Sequence, residues 1–304
     1  MNYSAVGLML TDRCTANCSV CCFNCSPRCN HEIDKQHAIN FIKSTEGIPS
    51  INTIAFTGGE ALLCAETLTE LASLSSTIGK KSTLITNAFW ATSEQSAYVK
   101  LMELKEVGIS EIGVSYDEFH SLYVPIQNIR NFIRAARHTD LGILIQSIVT
   151  TTPNLDWIIE LGSDVSDVAV KFLPIYPIGG AKECSDEVFP RKYPSSGCLC
   201  RKSGTAFISC DGAIWPCCSP YIMDTALSVG NIKDMDALTM LNKFESHIVL
   251  QKLRHNGFDY YINLIRKYGI SIDIPQSVIS SCELCSLFFN RQNITKFFPY
   301  ILRG

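Results

Sequence analysis

A parallel α/β fold is predicted by three observations. Six short, mostly apolar runs recur at 5–10, 51–56, 82–86, 111–115, 142–149 and 168–173. Segments with helical apolar spacing lie between them. Polar residues, glycines or cysteines follow several of the runs, at the strand end where α/β folds place their ligands. Strands alternating with helices imply crossovers and a parallel sheet.

Ala5-Val6-Gly7-Leu8-Met9-Leu10 is uncharged, as a strand covered on both faces must be. It leads into Cys14-Thr15-Ala16-Asn17-Cys18-Ser19-Val20-Cys21, three cysteines at CxxxCxxC spacing. Three thiolates can bind three irons of a [4Fe-4S] cluster and leave the fourth iron open to a substrate or cosubstrate. A zinc site is the competing use, although zinc sites more often pair CxxC units. Cys22, Cys25 and Cys29 follow and read as surplus loop thiols. Ala38, Phe41 and Ile42 carry helical spacing.

The second run, 51–56, enters Thr57-Gly58-Gly59-Glu60. Two glycines let backbone approach a ligand closely, and Glu60 can accept from an ammonium. A helix is expected over 65–78, with Cys64 before it as a small buried hydrophobe. The third strand ends at Asn87; a helix over 94–106 leads to the fourth, which ends in Ser115-Tyr116-Asp117-Glu118-Phe119-His120. Ser115 and Asp117 are placed to meet a ligand, or Asp117 caps the next turn. A helix over 126–137 precedes the fifth strand, where Gln146 or Ser147 can face a ligand. A helix over 154–162 precedes the sixth, in which Lys171 needs a polar partner or a solvated head.

Past Gly179-Gly180 the composition changes, and a smaller domain over 181–304 is expected after one over 1–180. Cysteines return at 184, 198, 200, 210, 217, 218, 282 and 285. The runs 206–210 and 213–215 flank Asp211-Gly212 and read as a hairpin that delivers Cys217 and Cys218. Helices are expected at 235–253 and 258–268, ahead of Cys282-Glu283-Leu284-Cys285.

Fifteen cysteines in 304 residues suit neither an ordinary cytosolic enzyme nor a small secreted disulfide scaffold, so metal or cluster ligation is the better use for them. A net charge of -3 gives no argument for nucleic acid. No apolar stretch is long enough to span a bilayer, and Asp12 and Arg13 interrupt the apolar start, so no membrane partner and a cytoplasmic home are expected.

CxxxCxxC followed by a strand and GGE resembles the radical S-adenosylmethionine (SAM) enzymes. That resemblance implies a partial (β/α)6 barrel, with a [4Fe-4S] cluster on Cys14, Cys18 and Cys21 that binds SAM through its open iron. It places the methionyl amine at Gly58, Gly59 and Glu60, and further SAM contacts at Ser115, Asp117 and Gln146. The second half resembles the SPASM/twitch extensions. This implies an auxiliary [4Fe-4S] cluster on Cys200, Cys217, Cys282 and Cys285, with Cys198 a rival to Cys200 and zinc a rival occupant. The strings Cys21-Cys22-Phe23-Asn24-Cys25-Ser26-Pro27, Asn87-Ala88-Phe89-Trp90, Ser115-Tyr116-Asp117-Glu118 and Cys217-Cys218-Ser219-Pro220, in this order with GGE, look like the radical SAM peptide epimerases. Those enzymes convert L- to D-residues in ribosomally made peptides. The resemblance implies a precursor peptide as substrate and Cys218 as the hydrogen donor. It also implies an electron donor such as flavodoxin or ferredoxin. The alternative is a SPASM-type enzyme that forms thioether or carbon–carbon crosslinks. With the triad opening at Cys14, peptide recognition is expected in the barrel mouth or the second half.

Overall fold

The computed structural model of the chain describes residues 3–200 and 204–301. Six strands are β1 (Ala5–Met9), β2 (Thr53–Thr57), β3 (Lys81–Thr86), β4 (Ile109–Ser115), β5 (Gly142–Val149) and β6 (Ala169–Pro174). They pair in chain order, each parallel to the next. Between them lie α1 (Lys35–Ser44), α2 (Ala65–Thr77), α3 (Glu94–Glu106), α4 (Ile126–Ala136) and α5 (Asp156–Leu161). The predicted α/β fold is therefore present, with each helix inside the range its periodicity gave or within a few residues of it.

Side chains alternate across the sheet. The paired row Leu8–Phe56–Leu84–Ile112 is wholly buried. On the other face lie Ala55, Thr57, Thr83, Ile85, Leu144 and Gln146, each only partly covered. Small and polar residues there leave the concave face room for a ligand.

After β7 (Tyr193–Pro194) come β8 (Thr205–Ile208), β9 (Ala213–Trp215) and β10 (Gly230–Asn231). These last three are not a separate sheet. β8 runs parallel to β1 on its free edge, and β9 and β10 follow antiparallel, giving the order β10-β9-β8-β1-β2-β3-β4-β5-β6. The expected hairpin is thus the β8–β9 pair, and Gly212 turns it with a φ of 81°.

The helix expected over 235–253 is two helices, α6 (Ala237–Ser246) and α7 (Ile248–Asn256). His247 breaks them, with φ -71° and ψ 108°. Helices α8 (Asp259–Tyr268) and α9 (Ser281–Phe289) follow, and β11 (Ser277–Val278) pairs antiparallel with β7. Ser280 caps α9 by accepting from the Cys282 N–H, so Cys282 and Cys285 start that helix one turn apart.

Candidate functional site

The Cys14–Cys21 loop leaves β1 at the C-terminal end of the parallel strands, and four other segments hold it there. Gly59 N–H donates to Thr11 O at 2.7 Å, and Glu60 N–H to Arg13 O at 2.9 Å. A Cβ on Gly58 would lie 2.9 Å from Thr11 O, and one on Gly59 would strike Arg13 O. The backbone these glycines approach is the chain's own. On another side Gly180 N–H donates to Cys21 O at 2.9 Å, and a Cβ on Gly179 or Gly180 would run into the backbone of Ser19, Cys21 or Cys22. The Tyr123 hydroxyl donates to Asn17 O at 2.6 Å. Asn87 Nδ2 donates to Thr15 Oγ1 at 2.9 Å and lies 3.9 Å from Cys14 Sγ.

Negative or ionisable groups crowd this loop. Burial pushes the Cys14 thiol up to about 11 and Cys18 up to about 12, and the neighbouring Cys21 adds to both. Cys21 is drawn down to about 6, chiefly by a hydrogen bond from Cys25. Its sulfur also accepts from the Cys25 N–H at 3.3 Å. Glu60 raises Cys14, and Asp117 raises Cys18. Three thiols beside two carboxylates, largely out of water, ionise together only around a positive centre. The donor set therefore fits an iron-sulfur cluster with SAM beside it.

Glu60 is fully buried. Its carboxylate accepts from Leu62 N–H (3.0 Å), Asn87 N–H (2.8 Å) and the Thr86 hydroxyl (2.9 Å). Burial raises its pKa, while those donors pull it back. Asp117 is also buried. Its Oδ1 accepts from Phe119 N–H, His120 N–H and His120 Nδ1, the last at 2.8 Å, and its Oδ2 from Ile148 N–H at 3.0 Å. Burial alone would raise its pKa, but the His120 hydrogen bond and charge outweigh that and hold it down. Asp117 thus caps the turn after β4, one of the two roles expected for it. Ser115 and Gln146 are register partners on β4 and β5, and Lys171 continues the row on β6 with its side chain exposed.

The second cysteine set comes from the segment between β7 and β8 (Cys200), the turn just after β9 (Cys217) and the start of α9 (Cys282 and Cys285). Burial first pushes both Cys217 and Cys285 up; Cys282 and Cys200 add to Cys217, and Cys217, Cys282 and Cys200 add to Cys285. Four thiols gathered around Cys217 and Cys285 in a largely covered space again fit a cluster. Cys198 instead turns its thiol to Pro194 O at 3.2 Å. Cys218 is exposed beside buried Cys217. Among the described residues, no three His, Cys, Asp or Glu side chains converge as a single metal ion would require.

Sequence reading gave no part to Thr86, Asn87, His120 or the Gly179-Gly180 pair. The Asn87-Ala88-Phe89-Trp90 string was visible, but its use was not: Trp90 Nε1 donates to Thr86 Oγ1 at 3.1 Å and steadies the Glu60 support.

Comparison with known proteins follows the same division. Residues 8–153 match the Radical SAM superfamily, and residues 198–262 match SPASM, described as an iron-sulfur cluster-binding domain. A Bacillus subtilis (strain 168) relative named "Putative peptide biosynthesis protein YydG" is 28% identical over 310 residues, covering 99% of this chain and 97% of the relative. The structure of native anSMEcpe with bound AdoMet and Cp18Cys peptide is similar with a TM-score of 0.59 at 15% identity, covering 98% of each chain. That of Streptococcus suis SuiB bound to S-adenosylmethionine gives 0.58 at 12% identity, over 83% of this chain and 68% of that one. These two likenesses concern the fold. No described helix is long and apolar enough to cross a membrane. With both matches and the fold on the page, residues 8–153 form a radical SAM domain and residues 198–262 a SPASM domain, and the cofactors of the chain are SAM, a [4Fe-4S] cluster and iron-sulfur in the SPASM part.

Proposed function

We propose that this chain is a peptide epimerase that inverts L-residues of a ribosomally synthesised precursor peptide. Cys14, Cys18 and Cys21 would hold the SAM-binding cluster, and Cys200, Cys217, Cys282 and Cys285 the auxiliary one, in a unit over 181–304 that follows a barrel unit over 1–180. Glu60 would take the SAM ammonium, with Gly58 and Gly59 fixing its strap and Ser115, Asp117 and Gln146 lining the rest. The near full-length B. subtilis relative, named for peptide biosynthesis, supports a peptide substrate. A flavodoxin or ferredoxin would deliver the electron.

One observation carries the choice of epimerisation. β9 runs antiparallel to β8, which is parallel to β1. The chain therefore approaches Cys217 and Cys218 at the sheet end where β1 begins, and Tyr3 there donates to Pro216 O at 2.9 Å. The Cys14–Cys21 loop leaves from the other end. Inversion needs two separate groups, one to take a hydrogen from one face of Cα and one to return it to the other, and Cys218 is an exposed thiol outside the Cys14–Cys21 loop. When bound, SAM and its cluster supply the hydrogen-abstracting radical. Cys218, exposed beside a buried ligand candidate, returns hydrogen from its weak S–H bond.

The test is turnover in D₂O. The Cys218 thiol exchanges, so each inverted residue should carry one deuterium at Cα. Cys218→Ala should still form deoxyadenosine and yield no D-residue. Inversion by Cys218→Ala with full deuterium uptake would move the donor role to another thiol. A product lighter by two hydrogens would make the enzyme a crosslinker. Separately, Cys14, Cys18 and Cys21 replaced together by Ala should end SAM cleavage while auxiliary iron remains.

A further inference from the structure

We propose that the Tyr221 hydroxyl donates a hydrogen bond to sulfur of the auxiliary iron-sulfur centre at Cys282 and so raises the reduction potential of that centre; the inference rests on the assignment of Cys282 to it. Tyr221 is 3% exposed, and its Oη has no hydrogen-bond partner among the described residues. A phenol taken out of water with nothing to accept its proton carries the full desolvation penalty of the group. Buried polar atoms left in that state in a protein call for an explanation, and an acceptor that arrives with a cofactor is one.

The surroundings narrow what that acceptor is. Tyr221 packs in one apolar patch with Ile178 and Cys282, and Cys22 and Tyr176 lie against it. The Tyr176 ring stands edge-on to the Tyr221 ring at 5.0 Å. Oxygen acceptors around the patch are already engaged. Tyr176 O accepts from Ile178 N–H at 2.8 Å, and Ile178 O from Ala181 N–H at 3.1 Å. Glu283, the carboxylate next to Cys282, takes Arg191 Nε on Oε1 and Ile279 N–H on Oε2. Sulfur remains. A neutral thiol such as Cys22 is a weak acceptor, whereas Cys282 as a cluster thiolate accepts with the help of its charge.

The backbone holds the phenol in place. Tyr221 N–H donates to Ser219 Oγ at 3.3 Å, Ile222 N–H to Ser219 O at 2.9 Å, and Asp224 N–H to Tyr221 O at 3.1 Å. Ser219 is itself buried. One short loop therefore carries the ligand candidate Cys217, the hydrogen-donor candidate Cys218 and the phenol. A hydrogen bond to cluster sulfur favours the reduced, more negative state, so it makes the centre easier to reduce. An electron is thereby retained one residue along the chain from Cys218.

The test is an anaerobic redox titration of the holoenzyme followed by EPR, with the first cluster's signal told apart by its response to added SAM. Tyr221→Phe keeps the ring and removes the hydroxyl. It should disfavour reduction of the auxiliary centre about tenfold, a midpoint lower by about 59 mV for a one-electron couple. The first cluster's midpoint and the iron content of both sites should not change. Tyr176→Phe removes a hydroxyl from a half-buried neighbour and should leave both midpoints in place. An unchanged auxiliary midpoint in Tyr221→Phe, or an equal shift in Tyr176→Phe, overturns the role. So does a rise, which is the sign expected of water admitted to a loosened site. Cys282→Ala should lose auxiliary iron; if it keeps that iron in full, the assignment of Cys282 falls on that result, and the acceptor named here falls with it. If Tyr221→Phe does not fold, Tyr221→Leu is scored by the same midpoint, and only a fall supports the bond.

Discussion

At the scale of single residues, the site turns on how many partners Glu60 already has. A carboxylate offers about four lone-pair positions. Leu62 N–H fills one on Oε1 and Asn87 N–H one on Oε2. The Thr86 hydroxyl lies 2.9 and 3.0 Å from the two oxygens but has one proton to give. One position therefore stays open for an ammonium. Glu60→Gln exchanges a charge-assisted bond for a neutral one. It should weaken SAM binding by about tenfold while peptide binding stays nearly constant; unchanged SAM affinity by titration would remove Glu60 from the site. Because burial raises the Glu60 pKa, SAM affinity should also fall as pH drops through that raised value, since the protonated acid no longer attracts an ammonium. Thr86 accepts from Trp90 Nε1 and Ala88 N–H as well. Thr86→Val keeps the shape and strands those donors, at a cost of about 1–3 kcal/mol in denaturant unfolding. None of this partner count was legible in the sequence. GGE marks the carboxylate, but its donors come from a strand and loop brought in by the fold.

At the scale of elements, loops hold loops. The six parallel strands and the five helices between them were legible because a strand and a helix each imprint a period on a continuous segment. CxxxCxxC was legible because ligand spacing is local. The Gly179-Gly180 pair was not, since two glycines look alike whether they end a strand or clamp a loop far away in the chain. Likewise His247 breaks a helix with no glycine or proline at that position to announce it. The glycine clamp predicts a graded effect. A Cβ on Gly180 would sit 2.5 Å from Ser19 O, and backbone has little room to yield. Gly180→Ala should lower iron and acid-labile sulfide at the first site and spare the auxiliary one. Gly47→Ala, whose Cβ would meet nothing within 4 Å, is the control. Equal cluster content in the two variants, by iron analysis and EPR, would mean the loop shifts freely and the clamp does not position it.

At the scale of the whole molecule, both halves of the chain share one sheet and one extended apolar core. That join was not legible. β1 and β8 pair in parallel across some two hundred residues of chain, and a pairing so distant leaves no local periodicity to read. The change in composition after Gly180 suggested a boundary, and the β8–β9 hairpin was visible, but its docking on β1 was not. Tyr3 shows what fastens the join. It is buried just ahead of β1, donates to Pro216 O at 2.9 Å, and accepts from Arg254 Nη2 of α7 at 2.7 Å. Its ring packs 4.9 Å from that of Phe244 on α6. One side chain therefore links the start of the first strand, the approach to Cys217 and two helices of the second half. Tyr3→Phe keeps the ring packing and removes the hydroxyl, leaving a carbonyl without its donor and a guanidinium N–H without its acceptor. The cost should be about 1–3 kcal/mol, seen as a lower denaturant midpoint at unchanged slope. Because Pro216 adjoins Cys217, the same variant should lose auxiliary iron more readily to a chelator while the iron of the first cluster is retained. Equal loss from both sites would mean that Tyr3 serves general stability and has no particular hold on the auxiliary ligands.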